Sequence, residues 1–259
     1  MTEKLEGRQS ILAALKARQR KFELIMVGYG AHQDKIEDVL KTAKEQNIPI
    51  KTVSSEEIDS AAKGKTHGGL IAICSPKPLT PIPELFSIIQ KTPNPFLILL
   101  EGIEDEQNLG FIIRSAGALG VNAILVKKHI WAFDTFTVSR TSYGAYEMMP
   151  LVKIEKEPAR PEGRSGGSDV LSQLKKNGLK IYGAVAGAKK TMYEMDFTKP
   201  VIIALGGEKR GLSGAMRESC DGFFSIPMPT GDEIASLSLS HSAAIIMAEV
   251  MRQRLNKFQ

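Results

Sequence analysis

The run FLILL at 96–100 constrains the fold more than any other stretch of the chain. Five consecutive apolar residues leave no polar face. A strand here must be covered on both sides, as parallel strands between helices are. VIIAL (201–205) has the same character, and AILVK (123–127), PLVKI (150–154) and LKIYGAV (179–185) read as further strands. Helix-like segments separate them: NLGFIIRSAGALGV (108–121), DVLSQLKKNG (169–178) and the closing SLSLSHSAAIIMAEVMRQRL (236–255). Such alternation implies an α/β fold with a mostly parallel sheet and helices on both faces. DTFTVSRTSYGAYEMM (134–149) reads as a polar turn region. Residues 155–168 hold almost nothing that could pack and read as a mobile loop.

The first part of the chain has its own alternation. LEGRQSILAALKARQRK (5–21) reads as an amphipathic helix, with Leu5, Ile11, Leu12 and Leu15 on one side and basic residues on the other. Strand ELIMVG (23–28), helix DKIEDVLKTAKEQN (34–47) with Asp34 as N-cap, and strand IPIKTV (48–53) follow. Ser54 and Glu57 make a capping box for helix SEEIDSAAKG, and LIAICS (70–75) is the third strand. This βαβαβ run is enough for a small domain. Six prolines lie between residues 76 and 95, around one short helix, PELFSIIQK. The expected organisation is a small α/β domain over 1–76, a linker over 77–95 and a larger domain over 96–259.

With 259 residues, 42% apolar and 24% charged, the chain has the composition of a soluble globular protein. It has neither an apolar run of membrane-spanning length nor the apolar core of a signal peptide, so a cytoplasmic location is expected. Cys74 and Cys220 are far apart and read as reduced, mostly buried thiols. His32, His67, His129 and His241 form no ligand pattern, and no metal site is expected. The net charge of +5 permits a nucleic-acid partner without requiring one.

Three constellations could carry chemistry. EDEQNLGFIIR (104–114) follows the C-terminal end of a strand, where open α/β sheets bind ligands. In it Asn108 is either an N-cap or a functional side chain. Arg114 is either a solvent-facing or salt-bridged residue, or a fork aimed at a phosphate or a developing oxyanion. LGGEKRG (205–211) matches neither a P-loop nor a dinucleotide fingerprint; its Gly206-Gly207 pair suits a tight turn or a close approach to a ligand. In IPMPTGDEIASLSLSHSAA (226–244), Ser236, Ser238 or Ser240 could cap the last helix, and Met228 and Leu237 could be core residues. Two residues stand apart from these. His67 could touch a phosphate or hold a turn, and Tyr143 could stack on a base or simply pack.

Singly these signals are weak, but their order is specific. LLEGIEDEQNLGFIIRSAGALGV, SRTSYGAYEMMPL, IIALGGEKRGLS and FFSIPMPTGDEIASLSLSHSAAIIMAEVMRQR together resemble the SpoU/TrmH family of RNA ribose 2′-O-methyltransferases, within the SPOUT class. EGRQSILAALK and the strand after THGG look like that family's N-terminal substrate-binding domain. The resemblance implies S-adenosylmethionine as methyl donor, a trefoil knot in the C-terminal domain, a homodimer and an RNA substrate. Ribosomal RNA is favoured over transfer RNA because of the extra N-terminal domain. It implies catalytic roles for Arg114, Asn108 and Glu208. It also implies cofactor contacts from Leu205, Gly206, Gly207, Ile226, Met228 and Leu237, with GAVAG (183–187) as a further wall.

The sequence departs from the family at one telling position. Where the third motif usually reads S-L-N-V-S, this chain reads Ser236-Leu237-Ser238-Leu239-Ser240. Asp105-Glu106-Gln107 likewise replaces the family's Asp-Pro ahead of Asn108. Ser238 motivates the alternative expectation of a non-catalytic RNA-binding homologue.

Overall fold

The structure is a computed structural model that describes residues 2–64, 66–127, 133–154, 170–228 and 237–255. Its strands are β1 (Glu3–Glu6), β2 (Phe22–Gly28), β3 (Ile50–Val53), β4 (Leu70–Cys74), β5 (Phe96–Glu101), β6 (Ala123–Lys127), β7 (Leu151–Ile154), β8 (Lys180–Ala184), β9 (Val201–Gly206) and β10 (Gly222–Phe224). Its helices are α1 (Arg8–Ala17), α2 (Gln33–Glu45), α3 (Ser55–Ala61), α4 (Ile82–Lys91), α5 (Glu106–Ala118), α6 (Thr135–Thr141), α7 (Ala145–Met148), α8 (Val170–Lys176), α9 (Gly214–Ser219) and α10 (Leu239–Leu255). The loop expected over 155–168 lies outside the described residues, as does Ser236.

The chain divides into two compact units. The first is Met1–Pro78 together with Leu109–Arg114 and Asp134–Met148. Its sheet runs β1-β4-β2-β3, with β1 and β2 antiparallel to β4 and β2 parallel to β3. Ile11, Leu12 and Leu15 of α1 are buried against Ile25, Val39 and Leu70, as the amphipathic pattern predicts.

The helix expected over 5–21 is shorter than its pattern. Residues 3–6 form an edge strand paired to β4, and Gly7, at φ 82, turns the chain before α1 begins. Leu5 is buried from a strand, where period-3.6 reading cannot tell it from a helical position. Asp34 is inside the first turn of α2 rather than at its cap. Only half of the capping box forms. Ser54 accepts from the Glu57 backbone N–H, while the Glu57 side chain pairs with Lys51 at 2.9 Å.

The region 134–149, expected as turns, is two helices. Asp134 caps α6 by accepting from Phe136 N–H. The buried residues of α6 and α7 include Ser139, Ser142 and Glu147, which satisfy one another and the backbone. Gly110 lets α5 pass against Thr141, whose hydroxyl occupies the place a Cβ would need.

Glu147 meets the fully buried Arg20 in this unit. Arg20 Nε donates to Glu147 Oε2 at 2.7 Å and Nη2 to Oε1 at 3.0 Å, while Nη1 donates to Glu3 Oε2 at 2.6 Å and to the Ser75 carbonyl at 2.8 Å. Burial works against the Arg20 charge, and the bonds to Glu147 and Glu3 more than offset it, so its pKa is raised. Arg20 is thus withdrawn from the basic face that the sequence suggests. Lys77 packs 4.8 Å over the Tyr146 ring beside this pair. Burial, aided by the Arg20 charge and opposed by Glu147, pulls the Lys77 ammonium down to about 8.

The second unit holds a six-stranded sheet ordered β10-β8-β9-β5-β6-β7, and every pairing is parallel. Phe96 to Leu100 are at most 1% exposed, as the unbroken apolar run requires. Leu85 and Ile89 of α4 join the same core as Leu97, Leu125 and Ile202. The chain leaves β5 towards β6 and β7, while β9 lies on the other side of β5, beside β8.

Removing one partner of a buried ion pair leaves the other uncompensated. Glu147→Ala is therefore expected to lower the unfolding free energy by about 3–5 kcal/mol, and Arg20→Met with Glu147→Leu to recover most of it, in urea titrations. Lys77 gives a pH signature. Its folded pKa, about 8, lies below the ordinary 10.5, so between these values the unfolded chain binds the extra proton. Stability from this group therefore rises as pH climbs from 8 to 10.5 and is lost as pH falls back through 8. Wild type should gain on Lys77→Met over that window in parallel denaturant titrations.

Candidate active site

Asp105, not Asn108, caps α5, accepting from the Asn108 backbone N–H at 2.7 Å. The Asn108 side chain is left for other partners. Its Nδ2 donates to Glu208 Oε1 at 2.9 Å, and its Oδ1 accepts from Ser240 Oγ at 2.7 Å. Glu208 Oε1 also accepts from the Leu239 backbone N–H at 3.3 Å. One carboxamide therefore joins the first turn of α5, the loop after β9 and the start of α10. A carboxylate can only accept, so the amide must face it with Nδ2, which fixes the orientation.

The parallel register of β5 with β9 makes this possible by setting Glu101 opposite Gly206. The loop leaving β9 then turns tightly, with Gly211 N–H donating to the Gly207 carbonyl at 2.9 Å. A Cβ on Gly207 would collide with the Gly102 carbonyl oxygen, and one on Gly206 with the Gly211 backbone. The protein's own backbone therefore already requires glycine at both positions. Glu101, 7% exposed, holds the far side of the loop by accepting from Ser213 N–H at 2.9 Å and Ser213 Oγ at 2.7 Å.

The remaining candidates fall into place around these contacts. Leu205 is buried, Gly206, Gly207 and Ile226 are half-buried, and Met228 and Leu237 are 39% and 38% exposed. Ala184 lies opposite both Leu205 and Phe224, so the segments leaving β8, β9 and β10 start side by side. Ser238 caps α10 by accepting from His241 N–H at 3.3 Å.

Arg114 falls in the first unit, while Asn108 and Glu208 belong to the second. It is exposed on α5, its guanidinium 4.9 Å over the Tyr143 ring. Tyr143 has φ 55 and is 58% exposed, and the next residue, Gly144, fits closely against Gln9 and Ala13 of α1. Beside Tyr143 a cavity of about 290 Å³ is lined by Arg8, Gln9, Ser10, Thr66 and Arg140, among others. His67 is structural: Nδ1 accepts from Gly69 N–H at 3.1 Å and Nε2 faces Asp59 at 2.9 Å.

Sequence reasoning missed Glu101 and Ser213 altogether, and took Ser240 only as a possible cap. The signal for Glu101 was present: a lone acid ending an otherwise unbroken apolar run.

A family model described as "SpoU rRNA Methylase family" matches residues 95–248, and one described as "RNA 2'-O ribose methyltransferase substrate binding" matches residues 4–80. The chain belongs to the SpoU rRNA methylase family. Among curated SpoU-type relatives, the 23S rRNA (guanosine-2'-O-)-methyltransferase RlmB of Pseudomonas putida is 29% identical over 253 residues, 97% of each chain. RlmB of Photobacterium profundum is 31% identical over 221 residues, 85% of each. Among solved structures, the SpoU methyltransferase AviRb of Streptomyces viridochromogenes has a TM-score of 0.78 at 21% identity, covering 99% of this chain and 91% of that one. An RNA 2'-O ribose methyltransferase has a TM-score of 0.74 at 26% identity, covering 98% and 89%. The expected fold class, an α/β methyltransferase domain behind an α/β substrate-binding domain, is that of the SpoU family.

In this SpoU-family site, Gly207→Ala is expected to cost roughly 1–3 kcal/mol, because the obstructing atom is backbone and cannot rotate away. Thermal unfolding of the purified variant checks it.

Proposed function

We propose that this chain transfers a methyl group from S-adenosylmethionine to a ribose 2′-hydroxyl of 23S ribosomal RNA. The observation that carries the reading is the Asn108 carboxamide joining Glu208 and Ser240, in a chain of the SpoU family. Relatives similar over 97% of the chain are named for guanosine 2′-O-methylation of 23S rRNA.

The residues fit the donor. The segments leaving β8, β9 and β10 start side by side, and Met228 and Leu237 are exposed apolar side chains. That arrangement suits an adenosyl group. We assign its binding to Leu205, Gly206, Gly207, Ile226, Met228 and Leu237, with residues 183–187 as a wall. When bound, the sulfonium supplies an activated methyl electrophile.

The chain's residues handle the nucleophile. A ribose hydroxyl attacks as its proton leaves, so negative charge develops on oxygen. Arg114 is effectively always protonated, and its role is to stabilise that oxygen or an adjoining phosphate rather than to act as base. Asn108, held by Glu208 and Ser240, presents a fixed amide that orients substrate polar groups. The exposed Tyr143 ring, with Arg114 on it, is a platform for a base of single-stranded RNA.

We further assign residues 1–76 to RNA binding and 96–259 to the catalytic domain; the segment 77–95, expected as a linker, carries α4, whose Leu85 and Ile89 pack in the core of the second unit. The family resemblance supports a trefoil knot, a homodimer and a cytoplasmic location. Among the described residues no helix is long and apolar enough to cross a membrane.

Calorimetry with S-adenosylmethionine and transfer of labelled methyl to ribosomal RNA from cells lacking the protein test the reading; silence in both would end it. Arg114→Ala is expected to cut turnover by roughly 10²-fold, with cofactor affinity held within a few-fold. Collapse of cofactor binding instead would make Arg114 structural.

A further inference from the structure

Five side chains in the second unit form one continuous hydrogen-bonded row: His241, Ser238, Ser240, Asn108 and Glu208. His241 Nδ1 lies 2.6 Å from Ser238 Oγ, which lies 3.0 Å from Ser240 Oγ. Ser240 Oγ lies 2.7 Å from Asn108 Oδ1, and Asn108 Nδ2 lies 2.9 Å from Glu208 Oε1.

The direction of the row follows from counting protons. The Asn108 oxygen can only accept, so the single Ser240 proton is committed to it. The Ser238–Ser240 contact must then use the Ser238 proton. With that proton committed, the contact between Ser238 and His241 Nδ1 can be filled only from the ring. His241 therefore carries its proton on Nδ1, and Ser238 Oγ accepts twice, from this N–H and from the His241 backbone N–H. Any other assignment leaves one contact without a proton between two acceptors.

We propose that His241 is a positioning residue whose Nδ1–H, acting through Ser238 and Ser240, fixes the Asn108 carboxamide against Glu208. The pair Ser238 and His241 does the work of one asparagine. An asparagine at 238 could cap α10 with its oxygen and donate to Ser240 from its own Nδ2. A serine can also cap with one lone pair and donate its single proton to Ser240, but its hydroxyl is free to rotate. His241, three residues on and one helical turn away, fills the second lone pair with its Nδ1–H and so directs the Ser238 proton to Ser240.

The first test needs no catalysis. Long-range ¹H–¹⁵N correlation on the labelled full chain reports which ring nitrogen of His241 bears the proton when the ring is neutral. A protonated Nδ1 is expected; a neutral ring with Nε2–H alone overturns the proposal. The second test rests on the methyltransferase reading above. His241→Ala should lower kcat roughly five-fold, the loss of one neutral hydrogen bond, with little change in cofactor affinity. In a Ser238→Asn background the same change should cost less than two-fold. Equal losses in both backgrounds overturn the proposal. If no variant methylates RNA and wild type does not either, the functional reading has failed, and the tautomer still decides the row.

Discussion

The parallel pairing of β5 with β9 is the contact on which the candidate site depends. It is fully buried along β5, from Phe96 to Leu100, so its register is set by apolar packing with no polar group to compromise it. A slip of one residue would turn buried side chains to the opposite face. With the register fixed, Glu101 stands at the end of one strand and Gly206 at the end of its neighbour. The site's polar contacts begin at that line and just beyond it: Glu101 on Ser213, Gly207 against Gly102, Asn108 on Glu208. The sheet supplies rigidity and the loops supply chemistry, as expected at the carboxyl edge of a parallel sheet.

The first unit solves a different problem. Several of its polar residues are buried, and the Arg20–Glu147 pair is the clearest case. A buried charge pair gains little net stability over a well-packed apolar pair, but it is costly to break and strict in its geometry. The bidentate fit of Arg20 on Glu147 therefore defines where α7 sits against the segment that precedes β2. Residues 4–80 and 95–248 match two separate family models, and this pair joins a residue from each within one compact unit.

What the sequence revealed follows the same division. β5 and β9 were legible because a strand covered on both faces has a composition nothing polar imitates. Asn108 and Glu208 could be singled out, though their bond, across 100 residues, could not. The helices α6 and α7 were not legible. Hydrophobic periodicity is the main sequence signal for a helix, and here Ser139, Ser142 and Glu147 fill buried positions that apolar residues usually mark. Their partners lie on one another and on α1, so a polar stretch looks like a surface turn until its contacts are known. The strand β1 was hidden for a related reason: Leu5 satisfies a helical pattern and a strand alike, and only Gly7 separates them.

Ser238 shows how a departure from a family pattern should be weighed. A motif that has simply decayed leaves its neighbours' hydrogen bonds unmade, because nothing selects for their repair. Here the described side chains bonded to the changed residue keep their partners. Ser238 Oγ meets His241 and Ser240, and Ser240 still reaches Asn108. An unmade bond at Asn108 would be expensive, since a part-buried amide cannot fully exchange its partner for water. The serine hydroxyl still reaches Ser240, and the histidine one turn later fixes which way that hydroxyl points. Two residues that would look like unrelated deviations when read separately are, in the folded chain, one hydrogen-bonding unit that preserves the orientation of the Asn108 amide.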